Sequence, residues 1–256
     1  MKLHFKKTGT GKPLFILHGL FGMSDNWMTL SKVFAENGFA CYAVDLRNHG
    51  RSPHSEEFNY SLMAEDLLEL LSDEKISTAD IIGHSMGGKA AMFFSVAYPE
   101  RAEKIVVVDI APRYYPVLHD SVLSALQKIN LENVTSRKEA EAQLSALLNN
   151  DETTIQFLLK NLYWKEETKF AWRFNLDSIS KNIESVGEVL PVDKQFDKPA
   201  LFIRGEKSNY VTVQDEPQIK KQFPEAEIKT IAAGHWVHSE NPKEFMNVTL
   251  EFLKRD

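Results

Sequence analysis

The sequence predicts an α/β fold: a mostly parallel central sheet flanked by helices, with a helical cap inserted late in the chain. Three observations carry this reading. Short, continuously apolar runs such as Leu14-Phe15-Ile16-Leu17 and Ile105-Val106-Val107-Val108 recur along the chain, as strands buried on both faces require. Stretches with apolar residues at helical spacing stand between them, and strand–helix alternation puts helices on both faces of a parallel sheet. From about Pro112 to Pro191 the β-branched runs vanish and helical periodicity takes over. The expected division is therefore a core of residues 1–112 and 191–256 with a cap of residues 113–190.

The elements follow in order. Leu3 and Phe5 alternate with polar neighbours, as an edge strand does. Thr8-Gly9-Thr10-Gly11-Lys12-Pro13 is a turn. Its likeness to a phosphate loop is spurious, since Pro13 follows the lysine where Ser or Thr should be. After the strand at 14–17, Trp27, Leu30, Val33 and Phe34 recur at helical spacing, and Gly38 suits the end of that helix. Ala40-Cys41-Tyr42-Ala43-Val44 is the next strand, with Cys41 a small core residue. Ser61 is expected to cap a helix reaching Leu71. Ile81-Ile82-Gly83 is a strand, and a helix runs from Gly87 to Tyr98, where Pro99 halts it. In the cap, Val122/Leu123/Leu126, Leu144/Leu147/Leu148 and Ile155/Leu158/Leu159/Leu162 carry helical faces. Strands return at Ala200-Leu201-Phe202-Ile203 and Ile228-Lys229-Thr230-Ile231, and a last helix begins at Pro242.

Composition narrows the function classes. The chain has 256 residues, 36 acidic against 30 basic, a net charge of −6 and one cysteine. Mild acidity argues against nucleic acid, whose phosphates need concentrated positive charge. No window reaches the roughly 20 consecutive apolar residues of a membrane span, and the N-terminus lacks the apolar core of a signal peptide. One cysteine makes no intrachain disulfide, and no Cys/His cluster has metal-site spacing. The expectation is a cytoplasmic protein, monomer or homodimer, with no metal, no cofactor, and neither nucleic acid nor membrane as partner.

Gly83-His84-Ser85-Met86-Gly87 matches G-x-S-x-G between a buried strand and a helix. In that setting the serine sits in a sharp, strained turn at a helix N-terminus, and the flanking glycines give it room. A serine hydroxyl is a weak nucleophile until a base takes its proton. In this class of motif the base follows late in the chain. His235, after the last strand, is expected to fill that role, with His238 as its rival; the remaining histidines precede the serine or sit in the cap. An oxyanion needs two amide donors. Met86, next to the serine, supplies one. The other is expected from Leu20 in His18-Gly19-Leu20-Phe21-Gly22, where His18 is read as fixing the loop.

These residues together resemble the α/β-hydrolase fold family, and within it the bacterial YbfF-type carboxylesterases and their mitochondrial relatives. The resemblance rests on 18–22, on Asp45-Leu46-Arg47-Asn48-His49-Gly50-Arg51-Ser52-Pro53, on 83–89, on Val108-Asp109-Ile110-Ala111-Pro112 and on 234–238. It extends to Gln156-Phe157-Leu158-Leu159-Lys160 and Trp172-Arg173-Phe174-Asn175 in the cap. Most hydrolases of this fold take the triad acid after the penultimate strand, and here that position is Ser208. The resemblance instead implies an acid one strand further in, at Asp109, which ends its strand at the carboxyl edge. Glu206 is the alternative. Ser208 would then hydrogen-bond the His–Asp pair.

The implied activity is hydrolysis of small acyl esters, with thioesters as an extension. Phe21, His84, Trp172, Ser208 and Trp236 are candidate pocket residues. Tyr114, Tyr115, Tyr163 and Trp164 serve either the pocket or the small core of the cap. Asp45 and Arg47 are read as loop braces, and Lys89 as either a cap contact or a substrate contact. Ser85 excludes the dehalogenase and epoxide hydrolase chemistries of this scaffold, which use an aspartate nucleophile. Perhydrolase, carbon–carbon hydrolase and lyase activities share the Ser-His framework and stay open, as does a catalytically silent receptor.

Overall fold

A computed structural model describes residues 1–116, 121–167 and 169–255; His119 of the expected cap lies outside them. Seven strands form one sheet: β1 (Phe5–Thr8), β2 (Lys12–Leu17), β3 (Phe39–Val44), β4 (Ala79–His84), β5 (Ala102–Val108), β8 (Ala200–Gly205) and β9 (Ala226–Ile231). Their spatial order is β1-β3-β2-β4-β5-β8-β9. Only β1 is antiparallel to its neighbour, so six strands leave the sheet along one carboxyl edge.

Alternation along the buried strands separates two apolar layers. Phe15 and Leu17 face a cluster with Ile81, Val107 and Phe202, covered by α2 (Tyr60–Asp73) and α3 (Met86–Ala97). Leu14 and Ile16 face a second cluster with Cys41, Ile82 and Val106, covered by α1 (Met28–Glu36) and, later in the chain, by α11 (Pro242–Leu253). Cys41 is buried in this second layer, as a small core residue should be.

Helix ends follow local chemistry. Gly38 takes φ 92° just beyond α1. For α2 the expected cap, Ser61, already lies inside the helix. Asn59, in extended conformation, accepts from the Leu62 amide instead, which satisfies one of the orphan donors of the first turn. Pro242 opens α11 as expected, behind the Asn241 cap.

Between β5 and β8 lie α4 (Ser121–Lys128), α5 (Arg137–Leu147), α6 (Glu152–Leu159), β6 (Leu162–Glu166), β7 (Lys169–Trp172), α7 (Leu176–Lys181) and α8 (Ile183–Val186). The hairpin β6–β7 departs from the all-helical expectation. Tyr163, Trp164, Phe170 and Trp172 are β-forming aromatics, and Trp164 stacks on Phe170 at 3.7 Å across the pair. The segment is joined to the scaffold at its base. Tyr115 N–H donates to Gly187 O and Leu190 N–H to Pro112 O, both at 2.8 Å. Lys89, fully buried on α3, donates to the carbonyls of both Arg113 and Glu188. Its role is therefore a contact with this segment; burial lowers its pKa to about 7. Leu126, Leu144 and Leu158 join the apolar cluster of the scaffold. The last elements are α9 (Glu216–Gln222) before β9, and α10 (Val237–Glu240) before α11. No helix of the described residues is long and apolar enough to cross a membrane.

Candidate active site

Strand register brings three loops to one height. Leu17 pairs with Gly83, His84 with Val108, and Val108 with Ile203. Thus the 18–22 loop, Ser85 and Asp109 emerge side by side around β4, the middle strand. Each carries a non-glycine residue at positive φ: Phe21 at 58°, Ser85 at 53° and Asp109 at 51°. Such backbones are costly and persist where the surrounding structure holds them, often at sites of function.

Ser85, with ψ −118°, is the turn between β4 and α3. Its own amide donates to Val108 O. The two glycines are required by close approach. A Cβ on Gly83 would stand 2.1 Å from Gly87 O, and one on Gly87 would stand 2.4 Å from Leu17 O. Met86 is the first residue of α3, so its N–H has no intrahelical acceptor and belongs to the positive end of the helix.

Asp109 and His235, 126 positions apart, meet with Nδ1 and Oδ2 at 2.7 Å. Asp109 is fully buried while the His235 side chain is a quarter exposed. The carboxylate also accepts from Gly205 N–H at 3.0 Å and from the Ser208 hydroxyl. A carboxylate only accepts, so the imidazole donates from Nδ1. Glu206, by contrast, is exposed and makes no such contact with His235. Ser208 donates its hydroxyl to Asp109, as expected of a partner to the His–Asp pair.

His84 is placed beneath the site rather than in it. It is buried, donates from Nε2 to His235 O at 2.9 Å, and packs its ring 4.7 Å from those of His235 and His238. Burial, with the neighbouring imidazoles, pushes its pKa well down. His238 stacks on Trp27 at 4.1 Å with ring planes 10° apart, and burial lowers its pKa to about 3. It is therefore held in ring packing against Trp27 and His84 and makes no hydrogen bond with Asp109 among the described residues.

The 18–22 loop is built around its amides. His18 donates from Nδ1 to Gly19 O and accepts the Leu46 N–H on Nε2, which fixes the loop as expected. Phe21 N–H donates to His49, and Gly22 N–H to Gly19 O. Leu20 N–H has no protein acceptor among the described residues. Asp45 and Arg47 act as braces. Asp45 accepts from Ser24 N–H, Arg51 N–H and His4 Nδ1, and Arg47 grips Asp66 with two donors.

The segment between β5 and β8 reaches this loop through Asn161, which the sequence did not single out, and through Phe174 of the motif at 172–175. Fully buried Asn161 donates to Phe21 O at 2.8 Å, and Phe174 lies 5.0 Å from the Phe21 ring. Trp172 stacks behind Phe174 and lines a cavity of about 690 Å³ with Leu126, Ile129 and Leu176, away from Ser85 and His235. Trp236 meets Phe157 of α6 at 5.3 Å. Of the other aromatics, Trp164 and Tyr114 are about half exposed and Tyr163 carries the Arg173 guanidinium. Tyr115 meets Tyr210, another residue the sequence reading passed over, and Tyr210 stacks on His235. Among the described residues, no group of three or more His, Cys, Asp or Glu side chains could hold a metal ion.

A family model described as the α/β hydrolase fold matches residues 12–242. Esterase YbfF of Escherichia coli (strain K12) is 38% identical over 245 residues, covering 94% of this chain and 92% of that one. A sn-1-specific diacylglycerol lipase of Danio rerio is 36% identical over 259 residues, covering 98% and 81%. Among solved structures, a marine microorganism esterase superposes with a TM-score of 0.94 at 42% identity, over 98% of this chain and 99% of that one.

Proposed function

On the premise that the chain belongs to the α/β hydrolase family and is an ester-hydrolysing enzyme, we propose a serine carboxylesterase for small, short-chain acyl esters, extending to thioesters. The observation that carries this is the His235–Asp109 hydrogen bond beside the strained Ser85 turn.

In this reading His235 Nε2 takes the Ser85 proton as Oγ attacks the ester carbonyl. The Leu20 and Met86 amides receive the oxyanion, each worth roughly 3–4 kcal/mol to the transition state by analogy with measured donors. The C–O bond to the alcohol breaks as His235 returns the proton to the leaving oxygen. Water then gives a proton to His235 as it attacks the acyl-enzyme, and His235 returns that proton to Ser85 Oγ as the C–O bond to the serine breaks and the acid leaves. Asp109 keeps the imidazole in the working tautomer and offsets its charge once protonated.

Two further parts of the reading concern the segment between β5 and β8. Residues 113–190 act as a cap over the core of 1–112 and 191–256. The contacts of Asn161 with Phe21 O and of Phe157 with Trp236 support a cap that narrows the acyl site, which favours short chains. Trp172 belongs to the cap's aromatic packing. We place the enzyme in the cytoplasm as a monomer or homodimer that requires neither cofactor nor metal.

Ser85→Ala should abolish hydrolysis of p-nitrophenyl butyrate, a loss of about 10⁶-fold in kcat by analogy with other serine hydrolases, and block labelling by a fluorophosphonate. Full activity of that variant would refute the nucleophile. An acyl-length series of p-nitrophenyl esters and acyl thioesters then reads the chain preference.

A further inference from the structure

The hydrogen bond to Asp109 fixes one edge of the His235 ring but leaves the ring free to swing about that bond. His84 holds the backbone of His235 and touches its ring at 4.7 Å, but at 47° from parallel. What lies flat on the imidazole is Tyr210, with ring centroids 3.9 Å apart and planes 22° from parallel. Tyr210 is 42% exposed, so burial alone does not explain its placement.

Its position is set from the base of the inserted segment. The Tyr115 hydroxyl accepts the Ala111 N–H at 2.8 Å and donates to Tyr210 O, and the two tyrosine rings stack at 5.7 Å, 23° from parallel. Arg113 lies 3.9 Å over the Tyr115 ring and also donates to Tyr210 O. The Tyr210 N–H donates to the Ser208 hydroxyl, which itself binds Asp109. Both the main chain and the ring of Tyr210 are thus tied to groups that leave the sheet beside Asp109.

We infer that Tyr210, anchored by Tyr115, is a positioning residue that sets the plane of the His235 ring and hence the aim of Nε2 at Ser85. The inference rests on the Ser85–His235–Asp109 reading. Offset aromatic faces attract, and a catalytic group displaced by about 1 Å can lose on the order of 100-fold in rate. Tyr115 belongs to the segment after β5 and Tyr210 to the loop after β8, so this stack also makes the aim of the base depend on the docking of the inserted segment.

The test is steady-state hydrolysis of p-nitrophenyl butyrate by the full-length enzyme. Tyr210→Ala should lower kcat by about 10–100-fold while KM stays nearly unchanged. Tyr210→Phe, which keeps the face, should restore most of kcat. Tyr210→Leu, which keeps the bulk without an aromatic face and guards against a folding defect, should not. The downfield proton resonance of the His235–Asp109 hydrogen bond should broaden in the Ala variant and recover in the Phe variant. Tyr115→Phe should give a smaller loss of kcat. Wild-type kcat in Tyr210→Ala, a loss carried by KM, or a Phe variant as damaged as the Ala one would each overturn the inference. Ser85→Ala keeps the two claims apart: if it is inactive while Tyr210→Ala is normal, the nucleophile stands and the positioning role falls.

Discussion

Two buried aspartates of this molecule are built alike and do different things. Asp45 follows the end of β3 and Asp109 the end of β5, both fully buried. Asp45 accepts from two backbone amides and Asp109 from one, and each holds a histidine through Nδ1: His4 at 3.0 Å and His235 at 2.7 Å. The Asp45 set ends in structure, since its other partners are the Ser24 and Arg51 amides. The Asp109 set stands beside a serine at positive φ and a helix N-terminus. An Asp–His pair is therefore not itself a signature of catalysis. On the proposed reading, the neighbouring strand turn at Ser85 is what sets the Asp109 pair apart.

The sharpest way to break that comparison is to neutralise each carboxylate. Asp109→Asn should lower kcat by about 10⁴-fold, because the imidazole loses its tautomer and its counter-charge. Glu206→Gln should leave the rate near wild type, and the reverse pattern in ester hydrolysis would move the acid to Glu206. Asp45→Asn should act on stability. Disrupting a buried charged network costs roughly 3 kcal/mol, or about 6–12 °C in Tm for a chain of this size, with kcat of the folded enzyme retained. A thermal melt paired with active-site titration separates the two effects.

The smallest effect is one the regions share. His49, buried beside the 18–22 loop, and His238, half-buried against Trp27, have pKa values lowered to about 3, desolvation being the main cause in each. His18 and His84 shift the same way. Below the ordinary histidine pKa of about 6.5 the unfolded chain binds protons that the folded one refuses, so stability falls as pH falls. His49 and His238 should each cost stability up to about 1.4 kcal/mol per pH unit as pH falls from 6.5 to about 3, and nothing above 6.5. Melts from pH 8 to pH 5 should be flat and then decline. His238→Phe should reduce the acid slope by one proton's worth.

Much of this was legible in the residues. The apolar runs located the buried strands, and G-x-S-x-G between a strand and a helix located the serine. The choice of Asp109 over Glu206 was not decidable from residue pattern alone, because it depends on which strand end faces residue 235. The role of His84 was missed because a histidine in the elbow string looks the same whether it lines a pocket or holds a distant carbonyl. Tyr210 left no sequence signal beyond its place two residues after Ser208. Lys89 became intelligible only when the carbonyls of residues 113 and 188 converged on it. The hairpin β6–β7 was hidden because its aromatics also suit a small helical core.

The paired base of the inserted segment has a consequence for how such a molecule can vary. Pro112 and Leu190 are hydrogen-bonded neighbours, so the sheet meets everything between them as a loop whose ends are already joined. The entropy of closing a loop grows only logarithmically, by about 0.6 kcal/mol for each doubling of length. A longer or shorter segment grafted beyond Tyr115 would burden the sheet little and, with Tyr115 kept against Tyr210, leave the base of the segment as it is. If the segment is the proposed cap, substrate range can drift at one splice point while the sheet keeps its strand ends in place.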